Sequence, residues 1–273
     1  MDKIRRGDIV GRKSYNKDIL FVVERIIKTK SGKQIAILKG LNIRIQADSD
    51  IEDLDKIDEK RIAKSEADLN ARLISRLGKN GKTNEPFKRT NKVIYTGRIL
   101  HLDGDKRYSE KSNMFYKKMG LKAFVKNVPE SRQANVLEYL IKRYNPDILV
   151  VTGHDGMIKN GTGFNDIYNY RNSKYFINTV NKARQIKLNK DLVIFAGACQ
   201  SYYEELIKAG ANFASSPARI LIDFMDPLVV AEKVAITDYN KYVTIRDIED
   251  DLRDGERGVS GIGAMGKKKT MEY

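Results

Sequence analysis

Two stretches of this 273-residue sequence end an apolar run on a side chain that could do covalent chemistry. Residues 148–156 read ILVVTGHDG and deliver His154; residues 192–201 read LVIFAGACQS and deliver Cys199, the sole cysteine. The thiolate is the nucleophile, and a free thiol at neutral pH is only a few per cent ionised. An imidazole within reach supplies what is missing: it takes the thiol proton and returns it to a departing amine. Both runs are continuously apolar, as strands buried on both faces are, so two parallel strands would bring the two side chains out on one sheet edge. Gly197 and Ala198 leave space for a substrate backbone. The amides of Cys199 and of the Asp155-Gly156 turn are free to hold an oxyanion. Taken singly, a strand-end Cys reads as a small buried hydrophobe and a turn His as a structural residue. Taken together, one of only two histidines and the only cysteine at two strand ends favour a Cys-His dyad.

The elements that must position such a dyad follow from the pattern beyond residue 93. Apolar runs at 93–102, 122–128, 148–152, 192–196 and 212–215 alternate with helical stretches at 109–119, 130–144, 174–188 and 201–209, and a further helix opens at Asp226-Pro227. That alternation predicts a parallel sheet flanked by crossover helices, an α/β class, whose ligand crevice lies beyond the carboxyl ends of the strands. Ahead of it, residues 1–60 carry short β-branched runs at 19–27 and 34–38 around a Lys30-Ser31-Gly32-Lys33 turn, with a closing strand at 42–47. This resembles a small SH3-like β-barrel, a common binding module. Residues 53–77 then read as a helix with Leu69, Leu73, Ile74 and Leu77 on one face, and 78–92 as a linker. The expected division is a module over 1–60, a basic helix and linker over 61–92, and an α/β domain with a glycine-rich C-terminal tail over 93–273.

Composition sets the limits. With 41% apolar and 32% charged residues and no run of about 18 apolar residues, the chain is expected to bury a core and not to span a membrane. The opening MDKIRRGDIV has no apolar stretch of signal-peptide length, and one cysteine forms no internal disulfide, so an intracellular, reducing setting is expected. The 51 basic against 36 acidic residues give +15, densest over 61–92. No aromatic cluster accompanies the charge, so a solvated basic surface is favoured over dedicated nucleic-acid binding. Two His and one Cys in separate motifs offer no metal cluster, and no cofactor is expected. Gly78-Lys79-Asn80-Gly81-Lys82-Thr83 lacks the first glycine and the preceding strand of a phosphate loop. Gly261 to Gly266 mimics a dinucleotide fingerprint without the βαβ unit it needs. Asn160-Gly161-Thr162 matters as a glycosylation acceptor only on a secreted chain.

A hydrophobic strand ending in His-Gly, followed about 50 residues later by one ending in Ala-Cys, is similar to the caspase-hemoglobinase fold of cysteine peptidases. More closely, Gly153-His154-Asp155-Gly156, Gly197-Ala198-Cys199-Gln200-Ser201, the Gly7-Asp8-Ile9-Val10 opening and Leu100-His101-Leu102-Asp103-Gly104-Asp105 resemble the YabG family of sporulation-specific cysteine peptidases. The resemblance spans nearly the whole chain. It implies a caspase-like sheet and an endopeptidase made in the mother cell, associated with the forming spore coat, that cuts coat and cortex-associated proteins after Arg. Asp155 intervenes between His154 and Gly156, so whether Asp155 or Gly156 joins Cys199 in the oxyanion hole stays open. Cleavage after Arg needs a carboxylate to pair with a buried guanidinium. Asp103 and Asp105, at the end of the first strand and on the same edge as the dyad, are the candidates, although an Asp-Gly-Asp run is also an ordinary turn. Ser215 and Ser216 follow another strand and could line the pocket; His101, inside a strand, reads as structural. Self-cleavage has candidate positions at Arg76, Arg89 and Arg98, in or near the linker. The rival class is a non-catalytic module that binds nucleic acid or coat protein by charge, with Cys199 merely structural.

Overall fold

The computed structural model describes residues 3–80, 92–158, 163–188 and 191–272. The linker residues 81–91, with Arg89, and the Asn160-Gly161-Thr162 triplet lie outside the described residues.

The first strands are β1 (Ile9–Arg12), β2 (Phe21–Lys28), β3 (Gln34–Gly40), β4 (Gln46–Asp50) and β5 (Leu54–Lys56). They form one antiparallel sheet in the order β4-β3-β2-β1-β5. Val10, Phe21, Val23, Ala36 and Leu38 are buried together at its centre, as β-branched and aromatic residues on a pleated face should be. The closing strand expected at 42–47 is displaced. Pairing between β3 and β4 begins at Lys39↔Gln46, and residues 41–45 leave the sheet as the loop between its arms. That loop finds partners elsewhere, through bridges Ile43↔Asp223 and Ile45↔Asp155. Alternating apolar residues satisfied the strand rule, but the pairing they serve is across units.

Helix α1 (Glu59–Asn80) presents Leu69 and Leu73 to the core, while Ile74 is 63% exposed, so the apolar face is narrower than expected. The run expected as one strand over 93–102 is two: β6 (Lys92–Tyr95) and β7 (Ile99–Asp103). Then follow α2 (Lys106–Lys118), β8 (Ala123–Asn127), α3 (Gln133–Tyr144), β9 (Ile148–Thr152), α4 (Ser173–Ile186), β10 (Val193–Ala196), α5 (Tyr203–Lys208), β11 (Phe213–Ser215) and α6 (Asp226–Ile236). Four small strands finish the chain: β12 (Tyr242–Val243), β13 (Val259–Gly261), β14 (Ala264–Met265) and β15 (Lys269–Glu272).

The main sheet has the order β13-β11-β10-β9-β7-β8, parallel except at its β13 edge. Period-two alternation sorts its side chains. Leu100, Leu102, Leu149 and Val151 face α3 and α4; Ile99, Ile148 and Val150 face the Tyr108 and Phe115 side of α2 and the Leu228 side of α6. The order reverses between β7 and β9, so the crevice of an open parallel sheet falls where Asp103 and Thr152 end their strands. The glycine-rich end is no tail: β13 pairs with β11, β14 with β12, and β15 with β6. Glycine there permits close pairing, since a Cβ on Gly261 would lie 2.1 Å from the Asn212 carbonyl oxygen. No helix among the described residues is long and apolar enough to cross a membrane.

Candidate active site

Cys199 and His154 emerge from neighbouring parallel strands, β10 and β9, at their carboxyl ends, and both are fully buried. One residue, Gly153, separates His154 from its strand and two, Gly197 and Ala198, separate Cys199 from its own, and one carboxylate ties the two loops together. Asp155 accepts the N–H groups of Gly156 (2.9 Å) and Asn172 (2.8 Å) and the hydroxyls of Ser173 and Ser201 (2.9 Å). Ser201 Oγ in turn accepts the Ala198 amide at 2.9 Å. Burial nonetheless pushes the Asp155 carboxyl up to about 6, against the pull of these donors.

The His154 amide donates to Glu130 Oε1 (2.8 Å), its carbonyl accepts from Asn172 (2.7 Å), and its ring stacks on Tyr108 at 5.3 Å between centroids. Nε2 lies 3.3 Å from the Gly40 carbonyl, which assigns the proton to Nε2 and leaves Nδ1, without a partner, as the free base. Burial holds the imidazole down to about 4, so it is neutral at pH 7. The Cys199 thiol faces Ile222, whose N–H donates to Sγ at 3.2 Å. Its burial drives it up to about 12, opposed by that bond and by the nearby Arg44. The resting pair is therefore thiol and neutral imidazole, with no hydrogen bond between them among those described.

The loop over 41–45 lies across this pair. The Arg44 carbonyl oxygen accepts two amides at once, from Asp155 (3.1 Å) and Cys199 (3.3 Å), and the next residue but one returns a bond from the Gln46 N–H to the Asp155 carbonyl (2.7 Å). Gly156 makes room: a Cβ there would sit 2.3 Å from the Gln46 carbonyl oxygen. The Gly156 amide itself is spent on the Asp155 side chain, so of the candidate oxyanion donors Asp155 and Cys199 converge and Gly156 does not.

The side chain of Arg44 is fully buried and reaches Asp103 Oδ2 with one guanidinium nitrogen at 2.6 Å, its carbon 4.8 Å from the Tyr108 ring centroid and 5.4 Å from that of Phe224. Burial alone would raise Asp103, but Arg44, His101 and the Asp105 amide outweigh it and hold the carboxyl well below the usual range. Asp105 is placed differently: it caps α2, accepting the Arg107 and Tyr108 amides at 2.8 and 3.3 Å. Ser215 is buried at the end of β11 with its hydroxyl unpartnered, and Ser216 bonds the Gln200 amide (3.0 Å) and the Ile220 carbonyl (2.7 Å). His101 is buried between Tyr116 (3.2 Å) and Thr152 (2.7 Å), with Nε2 3.6 Å from Asp103 Oδ2. Arg98 sits at the opposite, amino end of the strands, bonded to Asp147, away from the dyad. Among the described residues no group of three or more His, Cys, Asp or Glu could hold a metal ion.

Sequence reasoning passed over Arg44, Tyr108, Glu130, Ser173 and Ser201. For Arg44 the signal was present: a lone cation between Ile43 and Ile45 in an alternating apolar run.

Comparison with known proteins adds what geometry alone does not. The model of a family described as YabG peptidase U57 matches residues 5–272. The sporulation-specific protease YabG of Bacillus subtilis (strain 168) is 39% identical over 274 residues, covering 95% of this chain and 94% of that protein. No solved structure matches. The α/β chain with its strand-end cleft is thus a peptidase. It belongs to the YabG peptidase family of sporulation proteases.

Proposed function

We propose that this chain is a cysteine endopeptidase that cuts after Arg, with Cys199 as nucleophile, His154 as the proton carrier, the Asp155 and Cys199 amides as the oxyanion hole and Asp103 at the base of the specificity pocket. The observation that carries this is the seating of Arg44: its carbonyl oxygen takes both amides while its guanidinium takes Asp103. A tetrahedral intermediate puts negative charge where that oxygen lies, and preformed donors cost no reorganisation at that moment. The buried carboxylate sets specificity, because only a side chain that brings its own cation compensates it. His154 Nδ1 takes the thiol proton as Sγ attacks and passes it to the leaving amine; the intermediate is a thioester, which water resolves.

The parallel sheet with His and Cys at adjacent strand ends supports a caspase-like domain over 93–273. The preceding sheet serves as an SH3-like module over 1–60 that engages substrate or the assembling coat. Its relation to a sporulation-specific protease supports action during sporulation; the setting proposed here is the mother cell at the forming spore coat, with coat and cortex-associated proteins as substrates.

The test incubates wild type, Cys199→Ala and His154→Ala with fluorogenic peptides carrying Arg, Lys, Asp or Asn before the reporter. Release from Arg alone, lost in both variants, supports the assignment. The rival reading, a binding module with a structural cysteine, draws on the complete burial of Cys199. Silence of all three proteins, even with whole spore-coat extract, would transfer support to it.

A further inference from the structure

The loop between β3 and β4 enters the cleft as a substrate does. Its main chain pairs on both sides of Arg44, antiparallel at Ile43↔Asp223 and parallel at Ile45↔Asp155. Between those bridges, one carbonyl oxygen is held by two amides 3.1 and 3.3 Å away, one of them that of the cysteine itself. The Arg44 side chain fills the carboxylate pocket, stacked against Tyr108. Ile45 and Ile222 pack in the same apolar cluster as Cys199. Of the arginines named as cleavage candidates, Arg98 lies at the far end of the strands, bonded to Asp147.

We propose that the Arg44–Ile45 peptide bond is this peptidase's own processing site, cut within the same molecule; this rests on the Cys199–His154 reading above. The Cys199 Sγ–H gives its proton to His154, and sulfur bonds the Arg44 carbonyl carbon. The resulting oxyanion sits between the Asp155 and Cys199 amides. As it collapses, the bond from carbon to the Ile45 nitrogen breaks and that nitrogen leaves as an amine carrying the proton from His154. Water then attacks the thioester, releasing the Arg44 carboxylate and restoring the thiol. The products are residues 1–44 and 45–273, and no cofactor or redox partner enters. Until the cut, the loop excludes every other substrate, because the pocket, the oxyanion donors and the thiol are all occupied. Intramolecular presentation also substitutes for bimolecular encounter, so the step does not depend on how many copies surround it.

The experiment follows purified full-length chain on a denaturing gel and by intact mass, with N-terminal sequencing of the larger fragment, beside release from an Arg peptide. The expected result is a larger fragment beginning at Ile45, formed at a rate unchanged over a hundred-fold dilution, and absent from Cys199→Ala. Arg44→Gln should remain whole at this bond, and Arg44→Lys, which keeps a cation opposite Asp103 if the neutral variant fails to fold, should be cut at least ten-fold more slowly. A wild type that releases the Arg peptide yet stays whole between residues 44 and 45 overturns the proposal and leaves the peptidase assignment standing. So does cutting whose rate climbs with concentration. A wild type that cuts neither itself nor any peptide removes the peptidase assignment, and the proposal with it.

Discussion

Arg44 and Asp103 are both fully buried and meet at 2.6 Å, so their coupling can be read as a folding energy, separately from catalysis. The perturbation is a double-mutant cycle, Arg44→Met and Asp103→Asn, built on Cys199→Ala so that the chain stays whole. Asp103→Asn strands a guanidinium whose Nε and second terminal nitrogen already have no partner, and stranding one member of a buried pair costs about 3–5 kcal/mol. Arg44→Met leaves a carboxylate that keeps bonds from Thr152 Oγ (3.0 Å) and the Asp105 amide (2.8 Å), so about 2–3 kcal/mol is expected. The double variant buries neither charge, and its loss should fall short of the summed singles by about 2–3 kcal/mol. Urea unfolding followed by far-UV circular dichroism measures it; the chain has no Trp to report by fluorescence. Losses that add to within about 0.5 kcal/mol would refute the pairing, and with it the seating of Arg44 in the cleft.

Gly156→Ala pushes a methyl against the Gln46 carbonyl and should lift the loop from the cleft, raising the alkylation rate of Cys199 at least ten-fold; an unchanged rate means the loop does not cover the thiol. Glu130→Ala leaves the buried His154 amide without its acceptor and should cost about 1–3 kcal/mol in thermal or urea unfolding while lowering kcat on Arg peptides more than it raises KM. Burial lowers His154 from 6.5 to about 4, so its contribution to stability is full above about 6.5 and lost as pH falls through about 4. On the Cys199→Ala background, the stability difference against His154→Gln should therefore grow between pH 4 and 6.5, and a flat difference would sink the burial argument. Asp155, raised to about 6, carries the opposite sign: its contribution is full below about 3.8 and lost as pH rises through about 6, so Asp155→Asn should gain on its parent across that window in the same unfolding series.

The strands that carry His154 and Cys199 were readable because burial on both faces makes them unbroken apolar runs. The 148–152 run matches β9 residue for residue, and 192–196 differs from β10 only at its first position. Strand-end placement then brought His154, Cys199 and Asp103 to one edge without further assumptions. What stayed illegible was pairing between distant segments. Ile43-Arg44-Ile45 alternates as a strand does, but nothing local says that its partners are Asp155 and Asp223. The glycine-rich end reads as a tail for the same reason, since the close approach that demands Gly261 comes from Asn212, far away in sequence. Asp103 and Asp105 show the limit at single-residue scale: the same Asp-Gly-Asp run supplies the buried partner of Arg44 at one end and a helix cap at the other.

The 41–45 loop is the turn of a hairpin whose arms stay paired from Ile35↔Asp50 to Lys39↔Gln46. A chain severed within that turn has lost a covalent bond and no strand pairing. Residues 1–44, with three of the five strands of the first sheet, then become a separate subunit, retained by sheet hydrogen bonds and by Arg44, whose new carboxylate still faces the oxyanion donors. An inhibitor present at a fixed effective concentration becomes one with a dissociation constant, and its release depends on dilution or on a competing ligand. Bond cleavage would thus arm the molecule, and the lifetime of the nicked complex would set when it acts.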